Sequence, residues 1–223
     1  MASPAQLTAD LTLEETRLLL AEAIADAAVF DGWSAAAVTA AAQQHGVDRA
    51  IAALAFSDGA MAMIAAWIAK VDAAMATAFA GNVLAKDPIR ERIRRLVTFR
   101  LEALAGREEA LRRALAIMAM PQNAASAIRL GWASADAMWH LAGDTATDFN
   151  HYTKRAILAG LYAATLAVFA NDESEDKADT RAFLDRRIAG VMRFEKAKAQ
   201  LLRPNDQRFS MARFLGRLRY PAA

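Results

Sequence analysis

Apolar residues recur at intervals of three and four along most of the chain, and turn residues divide this pattern into nine or ten segments. Thr12 and Glu15 have the spacing of a capping box, Asp48 and Asp58 stand where helix caps are expected, and Pro88 stands at a predicted first helical position. No alternation indicates a strand. We predict an all-α protein with helices over about 12–30, 34–44, 48–56, 58–80, 88–104, 107–120, 123–141, 148–170, 177–202 and 206–220.

Composition agrees with this prediction and narrows the class of protein. The 223 residues are 56% hydrophobic, much of it alanine, which is the strongest helix former. Cysteine is absent, so disulfides and thiolate metal sites are excluded. Residues 1–15 lack the pattern of a secretory signal, and the longest uncharged apolar run, 156–170, is shorter than the ~20 residues of a membrane-spanning helix. We therefore expect a soluble or peripheral protein.

Arg203-Pro204-Asn205 marks a predicted boundary, after which the charge changes. The tail carries five arginines against the single acid Asp206. On a helix, its apolar residues would lie opposite the arginines, which is the pattern of an interfacial membrane anchor. The alternative is a helix that packs on its own body. The predicted membrane-binding residues are Arg208, Phe209, Met211, Arg213, Phe214, Leu215, Arg217 and Leu218.

The first three predicted helices have the lengths of a helix-turn-helix domain, so we predict three domains: 1–57, 58–203 and 204–223. A DNA reader needs cations for phosphates and polar side chains for base edges. The candidate recognition helix, 48–56, offers Arg49 beside Asp48 and otherwise apolar residues. We therefore expect no nucleic acid partner, although a transcriptional regulator stays open as the alternative.

Residues 138–155 concentrate aromatic and charged side chains. A capped turn between two helices explains part of this cluster. Cations in the first turn of a helix oppose its dipole, so stability alone would not select Lys154 and Arg155 there. Exposed aromatics with arginine are typical of binding hot spots. We predict a partner-docking patch formed by Trp139, Asp144, Asp148, Phe149, His151, Tyr152, Lys154 and Arg155.

Motifs of catalysis and of metal binding are missing from the sequence. There is no Gly-x-Ser-x-Gly, no phosphate-binding glycine loop and no His-Glu-x-x-His. Glu-x-x-His, which di-iron bundles use, does not occur, and the chain has three histidines. We expect neither enzymatic activity nor a metal or other cofactor.

Four stretches carry a resemblance to a known family. They are MWHLAGDTATDFNHYTKRAILAGLY at 138–162, ALAIMAMP at 114–121, DTRAFLDRRI at 179–188 and FDGW at 30–33. Together they resemble the ninth coenzyme Q protein family, known in mitochondria and alphaproteobacteria, over roughly residues 15–200. One departure is visible: many members have an aromatic pair where this chain has His151 and Tyr152.

The resemblance implies a fold like that of TetR-type regulators: a helical bundle of about nine helices with a lipid cavity, followed by a C-terminal amphipathic helix. It also implies a non-catalytic role in ubiquinone biosynthesis, presenting an isoprenoid quinone or phospholipid ligand to the di-iron demethoxyubiquinone hydroxylase. On this basis the expected lipid-binding residues, for each of which ordinary core is the simpler alternative, are Ile117, Met118, Met120, Trp132, Met138, Ile157, Leu161, Tyr162 and Phe169.

The expected setting is an anionic membrane surface. In a bacterium this would be the cytoplasmic, inner face of the membrane, and in a eukaryote the matrix side of the mitochondrial membrane. Alanines such as Ala156, Ala159, Ala163 and Ala164 would allow close helix packing, so we expect a homodimer. Two rival functions remain: a TetR-type transcriptional regulator with a lipid effector, and a dimeric scaffold without ligand.

Overall fold

A computed structural model describes residues 11–144 and 149–202, without the side chains of 149–150 and 194–202. The described part contains nine α-helices, two short 3-10 helices at 121–123 and 175–177, and no strand. The predicted all-α class is confirmed. The helices are α1 Leu13–Asp31, α2 Ala35–His45, α3 Arg49–Ala55, α4 Ala60–Ala78, α5 Ile89–Glu102, α6 Glu108–Met118, α7 Ala124–Leu141, α8 Phe149–Phe169 and α9 Ala178–Leu202. The predicted helix 206–220 lies outside the described residues.

Helix α1 begins with the predicted capping box. The Thr12 hydroxyl accepts from the Glu15 backbone N–H, and the Glu15 carboxylate accepts from the Thr12 backbone N–H at 2.8 Å. Asp48 caps α3 by accepting from Ala50 and Ile51. Both caps were predicted from sequence and are confirmed.

Two other predicted helix starts are wrong by one residue. Gly59, with φ of 74°, occupies the N-cap of α4 in place of Asp58, because the turn before α4 needs a positive φ that glycine adopts without strain. Pro88 is the N-cap of α5 in place of its first helical residue, and its ψ of 150° is extended.

Helices α1, α2 and α3 pack against one another, and α1 also packs on α4 and α6. Leu20 and Ile24 of α1 are completely buried. The Trp33 indole N–H donates to the Ala110 carbonyl at 3.0 Å, and its ring lies 5.4 Å from that of Trp67, centroid to centroid. These contacts join the N-terminal helices to α4 and α6. The chain divides after Ile188 into two compact units, and all the packing described here belongs to the first.

Helix α4 is, among the described helices, the one long and apolar enough to cross a membrane by length and composition. Met63, Trp67 and Met75 on this helix are buried, and Asp72 forms an ion pair with Arg100 of α5. That packing is typical of the central helix of a globular fold.

The loop between α8 and α9 is organised by one carboxylate. Asp172 is buried and accepts from the backbone N–H groups of Ser174 at 2.9 Å and Thr180 at 2.8 Å, and from both hydroxyls. Burial alone would raise the pKa of Asp172. The hydrogen bonds from Ser174 and Thr180 outweigh that effect and hold its pKa well below the ordinary value.

Candidate lipid cavity and docking turn

A cavity of about 620 Å³ lies among helices α4 to α8. This volume falls within the range of small-molecule sites in proteins, roughly 300–1,000 Å³. Almost all of its wall is apolar, and α4 and α6 contribute most of the large side chains. The wall includes Ile64, Trp67, Ile68, Val71, Leu104, Leu111, Ala114, Leu115, Met118, Ile128, Leu130, Trp132, Tyr162 and Leu166.

The cavity wall contains both buried and exposed residues. Ile64 and Trp67 are buried, whereas Ile128 is 70% exposed, so the cavity is open to solvent beside Ile128. Gly131 of α7 and Gly160 of α8 border the cavity, and a Cβ built on either would meet nothing within 4 Å. Both positions therefore have room for a side chain, beside a half-buried backbone at Gly131 and an exposed one at Gly160.

One buried ion pair borders this apolar space. Arg100, 1% exposed, forms an ion pair with Asp72, and its Nη2 donates to the Ser134 hydroxyl at 2.9 Å. Its guanidinium carbon lies 4.9 Å from the centroid of the Tyr162 ring. Burial alone would lower the pKa of Arg100, but Tyr162 and Asp72 raise it above its ordinary value, so the guanidinium stays charged.

Not every N–H group of Arg100 donates a hydrogen bond. Its Nε is buried and has no hydrogen-bond partner among the described residues. A buried donor without a partner costs about 1–3 kcal/mol, so this atom is a strained point in an otherwise satisfied pair.

A second cluster of charges lies where α7 and α8 meet. Arg155 is 1% exposed and forms ion pairs with Asp136 and with Asp144, the latter at 3.1 Å. Lys154 Nζ lies 2.7 Å from Asp144, and the Trp139 indole N–H donates to the Lys154 carbonyl at 3.0 Å. The acids offset the unfavourable helix dipole, so stability does explain both cations, contrary to the expectation from sequence. We call residues 136–144 together with 151–155 the docking turn.

Tyr152 is the exposed aromatic of the docking turn. Its side chain is 61% exposed. The centroid of its ring lies 6.1 Å from that of the Trp132 ring and 5.1 Å from that of the His151 ring. Because Trp132 also borders the cavity, the exposed surface at Tyr152 adjoins the cavity wall.

Comparisons with known proteins agree on one family. Residues 124–195, which hold α7, α8 and the first part of α9, match the COQ9 family model. The rat mitochondrial ubiquinone biosynthesis protein COQ9 is 36% identical over 173 residues, covering 72% of this chain and 54% of the rat protein. The human protein of the same name is 33% identical, with 72% and 52% covered.

In sequence the chain is similar to the COQ9 family. It spans about half the length of the curated COQ9 relatives that it matches. A crystal structure of a TetR transcriptional regulator from Nitrosomonas europaea ATCC 19718 superposes with a TM-score of 0.63, at 20% identity, covering 79% of this chain and 97% of the regulator. The predicted TetR-like fold is therefore confirmed, and this likeness concerns the fold alone.

The structure divides the lipid-binding residues predicted from the sequence into two groups. Met118, Trp132 and Tyr162 border the cavity. The other six do not border the cavity. Met138, Leu161 and Phe169 are buried in the core, Ile117 and Ile157 are half-buried, and Met120 is 43% exposed. The sequence analysis did not predict that α4 lines the cavity, and it did not single out Gly131 and Gly160. A glycine in the middle of a helix is a visible signal of close approach or open space.

The predicted docking residues differ in their exposure. Tyr152 is exposed, whereas His151, Lys154, Trp139 and Asp144 are partly exposed. Arg155 is buried, so it holds the turn together and does not itself present a surface. Asp148, the side chain of Phe149 and all the predicted membrane-binding residues between 208 and 218 lie outside the described residues.

Other predicted sites can be placed as well. Ala156, Ala159 and Ala163 border the cavity, and a homodimer through these alanines stays a prediction. The exposed face of α3 carries Arg49, Ala50, Ala53 and Leu54, which gives one cation for phosphate contact. Within residues 11–144 and 149–202, no three acidic or histidine side chains come together as metal ligands.

Proposed function

We propose that this protein is a non-catalytic, lipid-binding accessory protein of ubiquinone biosynthesis. It would hold an isoprenoid quinone precursor in the cavity and present it to the di-iron demethoxyubiquinone hydroxylase at a membrane surface. The observation that carries the proposal is the apolar cavity of about 620 Å³, which adjoins the docking turn in a chain that matches COQ9 proteins named for ubiquinone biosynthesis.

The lining of the cavity suits an apolar guest. Its wall offers almost no polar group, so an ordinary hydrophilic metabolite would lose its hydration without compensation. The cavity is open beside Ile128, which lets a prenyl tail longer than the cavity continue beyond it. Phospholipid is the alternative guest that the same apolar wall would accept.

The contact between Tyr152 and Trp132 supports presentation to a partner. A protein that binds over Tyr152 would lie beside the cavity, because Trp132 borders both. Large aromatic residues at such positions are the usual anchors of protein interfaces. The buried pairs of Arg155 would keep this surface in one geometry.

The membrane part of the proposal rests on the sequence of the tail. Arginines near an anionic bilayer contribute about 1 kcal/mol each, and apolar residues between them would insert into the interface. In a bacterial cell we place the protein at the inner face of the membrane. In a eukaryotic cell we place it on the matrix side of the mitochondrial membrane, since the rat and human relatives are named mitochondrial.

The experiment that tests the proposal is reconstitution of hydroxylase, quinone precursor and this protein in anionic liposomes. We expect the protein to increase turnover of membrane-held precursor, and Tyr152→Ala to remove most of the increase without changing the amount of lipid bound. Leu54→Ala, which changes an exposed apolar residue in α3, is the matched control and should behave like wild type. No stimulation by the wild-type protein would contradict the proposal.

A further inference from the structure

We infer that Arg92 of α5 is a positioning residue for the docking turn. It holds the end of α7 against the loop between α4 and α5, and so fixes Asp144, to which the first turn of α8 is anchored. The exposed Tyr152 lies in that turn. The inference rests on the proposed function, because the surface at Tyr152 is the one that would meet the hydroxylase, and it adds a residue on another helix that sets the geometry of this surface.

Arg92 contacts two segments that are far apart in the sequence. Its Nε and Nη2 donate to the carbonyls of Asp87 and Ala85, both at 2.8 Å, in the loop before α5. Its Nη1 donates to the carbonyl of Ala142 at 2.7 Å, immediately after α7. One planar guanidinium therefore joins the α4–α5 loop to the end of α7, and its rigid fork fixes the three carbonyls relative to one another.

The charge of Arg92 suits its place at the end of α7. The last carbonyls of a helix have no partner within the helix, and this end carries a partial negative charge. Ala142 is the C-cap of α7 and is 1% exposed. Arg92 therefore satisfies a carbonyl in a buried position and adds a favourable charge at this end of the helix.

Gly143 leaves room for this contact. Its φ is 84°, which glycine adopts without strain, and a Cβ built on it would lie 3.1 Å from Arg92 Nη1. In this conformation the Gly143 N–H donates to the His140 carbonyl and the Asp144 N–H to the Trp139 carbonyl, both at 3.0 Å, which is a Schellman motif. The end of α7 thus places Asp144 at a defined point relative to Arg92.

Asp144 carries this geometry to α8. Its side chain is 6% exposed and pairs with Lys154 at 2.7 Å and with Arg155 at 3.1 Å. The Trp139 indole N–H donates to the Lys154 carbonyl at 3.0 Å. A shift of the end of α7 would therefore move the acceptor of both cations. Tyr152, 61% exposed in the same turn, would move with them.

The indole N–H groups of the four tryptophans test the positioning without a partner, by nitrogen–proton correlation NMR of labelled protein. Trp139 donates within the docking turn, whereas Trp33 donates to the Ala110 carbonyl in the packing of the N-terminal helices. We expect Arg92→Ala to shift the Trp139 resonance and to leave that of Trp33 in place. Trp139→Phe and Trp33→Phe assign the two resonances. Arg90→Ala, which removes an exposed cation from the same helix, is the matched control and should shift neither.

Two outcomes of this experiment overturn the inference. A Trp139 resonance that Arg92→Ala leaves in place would show that the docking turn does not depend on Arg92. Equal shifts of the Trp139 and Trp33 resonances would show a general loss of structure, in which Arg92 has no particular relation to the turn.

Two further variants keep the test falsifiable if Arg92→Ala does not fold. Arg92→Lys keeps the cation at the end of α7, but its single ammonium lacks the fork that spans three carbonyls. It should keep Tm closer to wild type than Arg92→Ala and still shift the Trp139 resonance. Gly143→Ala changes the same contact from the side of α7, because its Cβ would meet the guanidinium, and it should shift that resonance too. A wild-type resonance in both variants contradicts the inference.

A double-mutant cycle connects the positioning to the partner. We expect Tyr152→Ala to raise the Kd for the hydroxylase about tenfold and Arg92→Lys to raise it about threefold. If Arg92 acts by placing the docking turn, the double variant should stay near tenfold, because Tyr152 is already removed. Independent effects would multiply to about thirtyfold, and that result overturns the positioning role.

Failure of the inference and failure of the proposed function give different results. If the wild-type protein does not bind the hydroxylase, the proposed presentation fails, and the tryptophan resonances still decide whether Arg92 positions the docking turn. If the wild-type protein binds and Arg92→Lys has the Kd and the resonances of wild type, the inference alone fails.

Discussion

Filling the cavity at Gly131 should weaken lipid binding while stabilising the fold. A Cβ at this position meets nothing within 4 Å, and the residue borders the cavity from the middle of α7. Leucine would place four carbon atoms where a guest lies. At about 0.3 kcal/mol per displaced ligand atom, Gly131→Leu should lose about 1.2 kcal/mol of binding free energy, roughly an eightfold rise in Kd.

Stability should change in the opposite direction. Leucine is roughly 0.5–1 kcal/mol more favourable than glycine inside a helix, which corresponds to a rise in Tm of about 1–4 °C for a chain of this size. Gly160→Leu, on the facing helix α8, should behave in the same way because its Cβ direction is also open. Loss of binding through unfolding would lower Tm, so the two readouts separate the explanations.

The assay is a titration of each variant with decyl benzoquinone, followed by tryptophan quenching, together with a thermal melt followed by circular dichroism. Ala133→Leu is the control, because Ala133 is exposed on the same helix and lies outside the cavity wall. It should bind as tightly as wild type. A Gly131→Leu protein with raised Tm and unchanged Kd would refute the assignment of the cavity as the lipid site.

Three other perturbations test the remaining parts of the account. Arg155→Ala should destabilise by about 1–3 kcal/mol in thermal or urea unfolding, because it removes a buried cation that pairs with Asp144, whose side chain is 6% exposed and keeps its pair with Lys154. Tyr152→Ala should change stability by less than about 0.5 kcal/mol and weaken hydroxylase pull-down. Asp172→Asn should cost about 1–3 kcal/mol at pH 7. Because the folded pKa of Asp172 is lowered, its contribution is present above its unfolded pKa and is lost as pH falls below about 4, so urea midpoints of the variant should converge with those of wild type in acid. Deleting 206–223 should abolish flotation with anionic liposomes at unchanged Tm, and unchanged flotation would remove the membrane anchor.

Local signals made the fold largely predictable. Thr12 with Glu15 and Asp48 cap their helices as the spacing predicts, because capping depends on a few neighbouring residues. The start of α4 was misplaced because Asp58 has the chemistry of a cap while the backbone needs the positive φ of Gly59. Capping propensity reflects the preference of a side chain, and the backbone conformation that a turn requires can override that preference.

The cavity was less predictable because the residues of its wall depend on which faces of the helices pack against one another. Tyr162 borders the cavity and its neighbour Leu161 does not, a difference of one position on α8 that periodicity alone does not resolve. Helix α4 is apolar around much of its circumference, so its sequence does not show which side faces the cavity. Arg155 illustrates the same limit, since a cation that pairs with Asp136 nineteen residues earlier looks like a surface group in the sequence.

Native mass spectrometry of the full chain, purified from cells that make ubiquinone, tests the central claim most directly. The account predicts a bound mass equal to a prenylated quinone precursor, strongly reduced in the double variant Gly131→Leu/Gly160→Leu. A spectrum showing protein without any lipid adduct, or the same adduct in the filled variant, would contradict it.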